Sequence, residues 1–423
     1  MRRETSDARK KDARRETIDT SHVSRLTPSR VSGLTSRAPW PKVKLGAIGK
    51  VVTGMTPPTK HQAYYGDDYL FVTPSDLDFD SYFISKTERC ISKQGYEKYY
   101  NRFIPAMSTM YTCIGSTIGK IGLSRETVLT NQQINSIVPN EVHDARFVYY
   151  LMRSLTNEIR ALNAGCAVPI INKGDFENID VPLPPLPVQQ RIADILSAYD
   201  DLIENNRRRI AILEETARLA YRKWFGGEVG CNDTVGKVSD FFDISIGRTP
   251  PRKSEECFSH DLSDVKWLSI KDMKAGRVFA FDSSERLTGL GVEKTKIHIS
   301  PPGTIFLSFK LTVGVVVIAG DYMATNEAIA HFETNDRALR DYTYFYLSLF
   351  QYDKLGSTSA IAKAINSDIV RKMDFVLPDR ASLDRYEKEV APMFDQIENL
   401  TRQSAALAAA RDMLLPRLMK GDF

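Results

Sequence analysis

The sequence of 423 residues has no run of eighteen apolar residues, so no segment is suited to crossing a bilayer. No apolar stretch follows the charges at its start, so no signal peptide is expected. Its five cysteines (Cys90, Cys113, Cys166, Cys231 and Cys257) are scattered, odd in number and without a CxxC pair. That argues against a disulfide framework or a structural zinc site and reads as reduced thiols in a cytoplasmic protein. Catalytic signatures are missing too. The lysines after Gly49, Gly119 and Gly236 are followed by Val, Ile and Val, so no GxxxxGK[ST] phosphate loop exists, and Gly289 and Gly291 make only a lone GxG. The histidines (His22, His61, His143, His260, His298 and His331) lie far apart with no HExxH. FxGxG, N/D-PP-Y/F and PD…(D/E)xK patterns are absent. The expectation is a chain with no catalytic centre, no metal and no cofactor.

Excess charge is also missing from most of the chain. The net charge is +4, but residues 1–39 hold ten of the 57 Lys and Arg and five of the 53 Asp and Glu, leaving 47 basic against 48 acidic residues. Any affinity for nucleic acid must come from where charges are placed, not from their sum. The same 39 residues almost lack large apolar side chains and are expected to form a disordered basic tail.

What is present is organised around two helical stretches. After the proline-rich Pro182–Pro187, the chain is free of Pro and Gly until Gly226, predicting a helix from Val188 to Phe225. Within it Ile192, Leu196, Tyr199, Ile203, Asn206, Ile210, Leu213, Ala217, Ala220 and Trp224 recur at spacings of four and three, a heptad seam with one polar member. From about Ser382 the pattern returns as Val390, Met393, Ile397, Leu400, Ser404, Leu407, Arg411, Leu414 and Leu418.

The blocks before the helices also match. GMTPPTK at Gly54–Lys60 answers GRTPPRK at Gly247–Lys253, TNQQI at Thr130–Ile134 answers TNEAI at Thr325–Ile329, and Asn172 answers Asn366, all at offsets of 193 to 196. The chain is an internal duplication of domain plus helix. Short β-rich runs (Lys50–Val52, Tyr69–Thr73, Asn135–Val138) and a helix predicted over Ala145–Ala164 make each block α+β (mixed α/β). The predicted layout is a tail over 1–39, a domain over 40–187, a helix over 188–227, a second domain over 228–381 and a second helix over 382–423. A helix of about 57 Å cannot be retraced by a link of about eleven residues. The second domain therefore belongs at the far end, with the helices returning antiparallel in pseudo-twofold symmetry.

Two patterns suggest contact chemistry. In the TPP loops a glycine would permit a tight turn, Thr56, Thr59 and Thr249 offer hydroxyls, and Lys60, Arg248, Arg252 and Lys253 offer charge suited to phosphates. A rigid surface turn would look the same. Asn131, Gln132 and Gln133, with Asn326 in the second copy, carry amides able to pair with base edges, or to bond their own turn. Lys120, Lys173, Lys310 and Lys363, with Asn172 and Asn366, are further candidates near block edges. The Arg207–Arg209 run reads as a solvated helix face.

GxTPP near a block's start, TNQQI within it, and PLPPLPVQQRIADILSAYDDLIENN leading into a heptad helix, all repeated, closely resemble the specificity subunit of type I restriction-modification enzymes. The resemblance covers residues 40–423 and is weaker in the second copy, where the lead-in becomes VLPDRASLDRYEKEV and NQQ becomes Asn326-Glu327-Ala328. It implies two target recognition domains, each reading half of a bipartite sequence in double-stranded DNA. It also implies helices that act as spacer and docking surface for methyltransferase subunits, two in number, and restriction subunits joining through that core. The seam residues above would then also serve partner docking. The alternatives are the recognition part of an enzyme whose catalytic site goes undetected, and a coiled-coil scaffold that does not bind DNA.

Overall fold

The computed structural model describes residues 40–162, 169–227, 229–275, 278–355 and 365–422. The N-terminal tail, Cys166 and Lys363 lie outside them. The duplication read from sequence is a duplication of topology. Each half opens on a short strand that pairs antiparallel with the strand just before its long helix, Lys42–Lys44 with Asp180–Pro182 and Thr234–Lys237 with Asp374–Leu377. This clasp brings each domain's entry and exit together.

Above the clasp lies a five-stranded sheet. In the first half its order is Gly49–Thr53, Ile134–Pro139, Thr109–Thr112, Ile121–Ser124, Phe83–Ile84; in the second it is Ile244–Ile246, Ile329–Phe332, Ile305–Ser308, Val316–Ala319, Phe279–Ala280. All neighbours are antiparallel except the last pair of each. A smaller four-stranded sheet completes each domain. Strands such as Ile305–Ser308 and Val316–Ala319 are buried at every position, which explains their continuous apolar runs. The helix expected over Ala145–Ala164 divides into Ala145–Ser154 and Thr156–Leu162. At the break the Thr156 hydroxyl bonds back to the Met152 carbonyl, competing with the backbone ladder.

The long helices span Leu186–Phe225 and Arg380–Leu418. The first begins two residues before Val188 because Pro187 falls in the first turn, where its missing N–H would have no intrahelical partner. The second begins where Asp379 accepts hydrogen bonds from the Ala381 and Ser382 amides. They run antiparallel: Asp200 pairs with Arg411, Asn206 Nδ2 donates to Gln403 Oε1 (3.0 Å) and Ser404 Oγ (3.3 Å), and Trp224 Nε1 donates to Glu389 Oε2 (2.8 Å).

Ile192, Leu196, Ile203, Ile210, Val390, Ile397, Leu400 and Leu418 are buried, while Leu213, Trp224, Met393, Leu407 and Leu414 are half-buried. Tyr199 is a correction: it is half-buried, and its neighbour Asp200 turns into the seam instead. An ideal helix drifts against a seven-residue repeat, and here Arg411 and Tyr150 hold the displaced position. The seam therefore carries Asp200 besides the expected Asn206, Ser404 and Arg411.

Each domain packs on both helices. The first core joins Val188, Ile192 and Leu196 to Leu415, Leu418 and Met419. The second joins Ile210, Ala217 and Tyr221 to Leu383, Tyr386, Val390, Phe394 and Ile397. Each Val, Leu, Ile, Phe or Met side chain buried among them contributes about 1.5–3 kcal/mol. The result is two domains at opposite ends of one helix pair.

Candidate nucleic-acid interface

At one end of each five-stranded sheet three loops meet. In the first domain the TPP loop follows Gly49–Thr53, the TN turn precedes Ile134–Pro139, and residues 113–119 join the two middle strands. Their counterparts in the second domain are 247–253, 326–328 and 309–314.

The first glycine of each TPP loop is there for close approach. A Cβ on Gly54 would lie 2.2 Å from the carbonyl oxygens of Thr130 and Asn131, and one on Gly247 would lie 2.2 Å from that of Asn326. Neither has a positive φ, which corrects the expectation of a tight turn. Without side chains these positions let backbone dock on backbone, Met55 N donating to Thr130 O (2.8 Å) and Arg248 N to Thr325 O (2.9 Å).

The docking brings distant side chains together. Thr56 Oγ1 donates to Gln132 Oε1 (2.7 Å) across 76 residues, and Thr249 Oγ1 makes the equivalent bond to Glu327 Oε2. Asn131 and Asn326 hold their own turns, each accepting at Oδ1 from a backbone amide two residues on, Gln133 or Ala328, at 3.0 Å. Gln133 is half-buried, its side-chain Oε1 3.4 Å from Asn131 Nδ2. This leaves Gln132 and Glu327 as the exposed residues of the two turns.

The cations divide into two groups. Lys60 and Lys253 are exposed and have no ion-pair partner among the described residues. Arg252 is committed internally: it makes two bonds to Glu285 (2.6 and 3.1 Å) and lies over the rings of Phe258 (4.9 Å) and Trp267 (4.8 Å). The hydrogen bonds it donates to Glu285 hold its guanidinium pKa above the usual value. Arg248 is exposed and donates to Thr295 O (2.9 Å). Lys120 is drawn inward to Pro74 O (2.9 Å) with Asp78 at 3.9 Å, so it braces the loop. Lys310 is exposed, 5.5 Å from the centre of the Phe309 ring, whereas Thr59 is exposed at the loop tip.

Lys173 stands apart in the first turn of the short helix Lys173–Glu177, 3.5 Å from Glu177. Asn172 and Asn366 cap short helices, accepting from Asp175 N and Ile369 N (both 2.9 Å), and are accounted for structurally. The Arg207–Arg209 run is exposed, Arg208 pairing with Glu204 one turn back (2.9 Å).

Sequence reasoning missed the third loop except for Lys120 and Lys310. Cys113 N donates to Gln133 O (2.8 Å) and Phe309 N to Ala328 O (2.9 Å), tying this loop to the TN turn in both copies. The sequence signal was the paired Gly119 and Gly314, both at φ 89°. Reasoning by spacing also kept the histidines apart, yet His298, His331 and Glu333 bring potential ligand atoms within 4.8 Å of one another. His331 is fully buried, with Nδ1 bonded to Ser245 Oγ (2.9 Å) and Ser300 Oγ (3.1 Å), and Nε2 to Thr325 Oγ1 (2.6 Å). Both ring nitrogens are thus taken by hydroxyls, and the group braces the sheet beneath the TN turn.

Comparison with known proteins bears on both halves. Residues 38–215 and 233–406 each match the family model described as the type I restriction modification DNA specificity domain. The chain is 26% identical over 416 residues to the MjaIX specificity subunit of a type I restriction enzyme from Methanocaldococcus jannaschii, covering 90% of this chain and 93% of that protein. It is 28% identical over 189 residues to the HindI specificity subunit from Haemophilus influenzae, covering 44% of this chain and 40% of that protein. The crystal structure of a type I restriction-modification S subunit from M. genitalium has a similar fold, with a TM-score of 0.52 at 15% identity, over 90% of this chain and 96% of that one.

Proposed function

We infer, from the premise that this chain belongs to the type I restriction-modification DNA specificity family, that it is the DNA-reading subunit of a type I restriction-modification complex. It selects a bipartite target and leaves methyl transfer and cleavage to partner subunits. The observation that carries this reading is the repeated meeting of three loops at a sheet end, once in each of two domains held apart by an antiparallel helix pair. A reader so built engages two half-sites whose separation is set by the protein, as dimeric readers do.

The exposed lysines Lys60, Lys253 and Lys310, with Thr56, Thr59, Arg248 and Thr249, supply backbone-positioning contacts, and Gln132 and Glu327 face base edges. Gln is suited to adenine and Glu to the amino group of cytosine, so the two half-sites differ. The target recognition domains are residues 40–187 and 228–381, and the outward faces of the helices dock two methyltransferase subunits, with restriction subunits joining through them. Among the described residues no helix is long and apolar enough to cross a membrane; work on chromosomal DNA puts the protein in the cytoplasm.

Methylation mapping of the chain reconstituted with its methyltransferase partner tests the reading. The expected product is adenine methylation confined to one bipartite sequence, with no methylation or cutting by the chain alone. S-adenosylmethionine-dependent methylation by the isolated chain would overturn it.

A further inference from the structure

The third loop is where the two copies part company. Backbone pairing fixes the alignment: Thr112 N donates to Lys120 O as Ser308 N donates to Val315 O, and Cys113 N meets the TN turn as Phe309 N does. Two positions beyond Cys113 stands Gly115 at φ 56°, and two beyond Phe309 stands Leu311 at φ 61°. Both loops thus demand a left-handed residue at the same place. The first copy meets the demand with glycine, which adopts that conformation without steric penalty; the second uses a branched side chain that opposes it.

Leu311 gains nothing in return within the chain. Its relative exposure is 101%, so the side chain touches essentially nothing. The space it enters is open in the other copy as well, since a Cβ built on Gly115 would find no atom within 4 Å. A single exposed leucine is ordinary, and so is an occasional left-handed residue. A fully exposed leucine held left-handed where its own repeat carries glycine is neither. Strain kept at a position that contributes no packing belongs to a binding surface. Lys310 beside it is exposed, and Phe309 bonds the loop to the turn bearing Glu327.

We propose that Leu311 is an apolar wedge that enters between two base pairs of the second half-site when duplex DNA docks on this sheet end. Lys310 holds the adjoining phosphate. Apolar side chains inserted this way partly unstack a base step and bend the duplex, and flexible pyrimidine–purine steps yield most readily. With Gly115 in its place the first domain makes no such insertion, so deformation is confined to one half of the target. The inference rests on the DNA-reading function proposed above.

The test uses the chain with its methyltransferase partner and a duplex carrying its mapped target, with 2-aminopurine placed at successive positions of both half-sites. Leaving aside the methylated adenines, which the methyltransferase itself flips out of the stack, the parent should brighten at one step of the second half-site and at none of the first. Leu311→Gly should bind at least tenfold more weakly and lose that signal, with a melting temperature unchanged or raised because the strain is relieved. Leu311→Asn, which keeps the left-handed backbone but not the apolar tip, should behave like Leu311→Gly, and Leu311→Met should retain the signal. Binding by Leu311→Gly within twofold of the parent would overturn the wedge, as would a lowered melting temperature, which would make Leu311 a folding residue. If the parent complex binds no duplex in preference to others, the DNA-reading function itself fails. Specific binding by the parent with an indifferent Leu311→Gly removes only the wedge.

Discussion

Asp200 and Arg411, 211 residues apart, meet inside the helix pair with side chains 3% and 2% exposed. The Tyr150 hydroxyl donates to the other carboxylate oxygen (2.6 Å), so the first domain, the first long helix and the second share one buried polar centre. Burial pushes the Asp200 carboxyl above its usual pKa, and the Arg411 charge pulls it back. A pair so placed fixes the register in which the helices slide past one another.

Removing one member leaves the other buried and uncompensated. Arg411→Leu alone should lower stability by about 3–5 kcal/mol, whereas Asp200→Leu combined with Arg411→Leu should stay within about 1–2 kcal/mol of the parent. Urea denaturation of the four members of the cycle gives the comparison. Equal losses in the single and double variants would remove the register role.

The exposed residues of the TN turns should govern sequence preference without affecting folding. Gln132→Ala should relax one position of the first half-site by about 1–3 kcal/mol, and Glu327→Gln should change the base preferred at one position of the second. Selection from a randomised target library reads both. Unaltered consensus sequences would reassign these residues to loop support.

Lys60 and Lys120 separate phosphate contact from bracing. Lys60→Ala should weaken binding to all duplexes alike and reduce the slope of log affinity against log salt by about one. Lys120→Ala should instead lower the melting temperature, because the bond to Pro74 O is lost, with an unchanged salt slope. The opposite assignment of the two effects would reverse these roles.

His331 makes the second domain sensitive to acid. Burial, aided by the neighbouring His298, lowers its pKa from 6.5 to about 3, so it stays neutral in the folded state. Its stabilising share is complete above pH 6.5 and falls as pH drops toward 3, because only the unfolded chain gains the proton. Between pH 7.5 and 5.5 the parent should lose about 1.4 kcal/mol more than His331→Gln. Denaturation midpoints at the two pH values measure this; parallel losses in both proteins would mean that His331 does not titrate this way.

Facing pairs along the helices dictate how the spacing can be lengthened. Asn206 lies opposite Gln403 and Ser404, so a heptad inserted after Asn206 must be matched by one between Gln403 and Ser404. The pair then lengthens by about 10 Å, close to three base pairs, with the Asp200–Arg411 contact preserved. Methylation mapping should return the same half-sequences with a longer spacer. Affinity should fall, since three base pairs also turn the second half-site by about a hundred degrees. An unchanged spacer would mean that these helices do not set the separation.

The sequence by itself determined the duplication, the two long helices and most of the seam, because heptad spacing and repeated loop motifs are local patterns that a linear reading detects. Ile192, Leu196, Ile397 and Leu400 are buried for the reason their spacing implies. Tertiary structure alone decided which polar groups meet. The joining of Thr56 to Gln132, of Asp200 to Arg411 and of His331 to three hydroxyls depends on strands and helices docking across 76, 211 and up to 86 residues. It likewise decided which cations find a partner within the chain, sending Arg252 to Glu285 and Lys120 to Pro74 while Lys60 has no ion-pair partner among the described residues. The left-handed turn at Leu311 was equally illegible, since leucine carries no local signal for positive φ; the paired strands around the loop impose it.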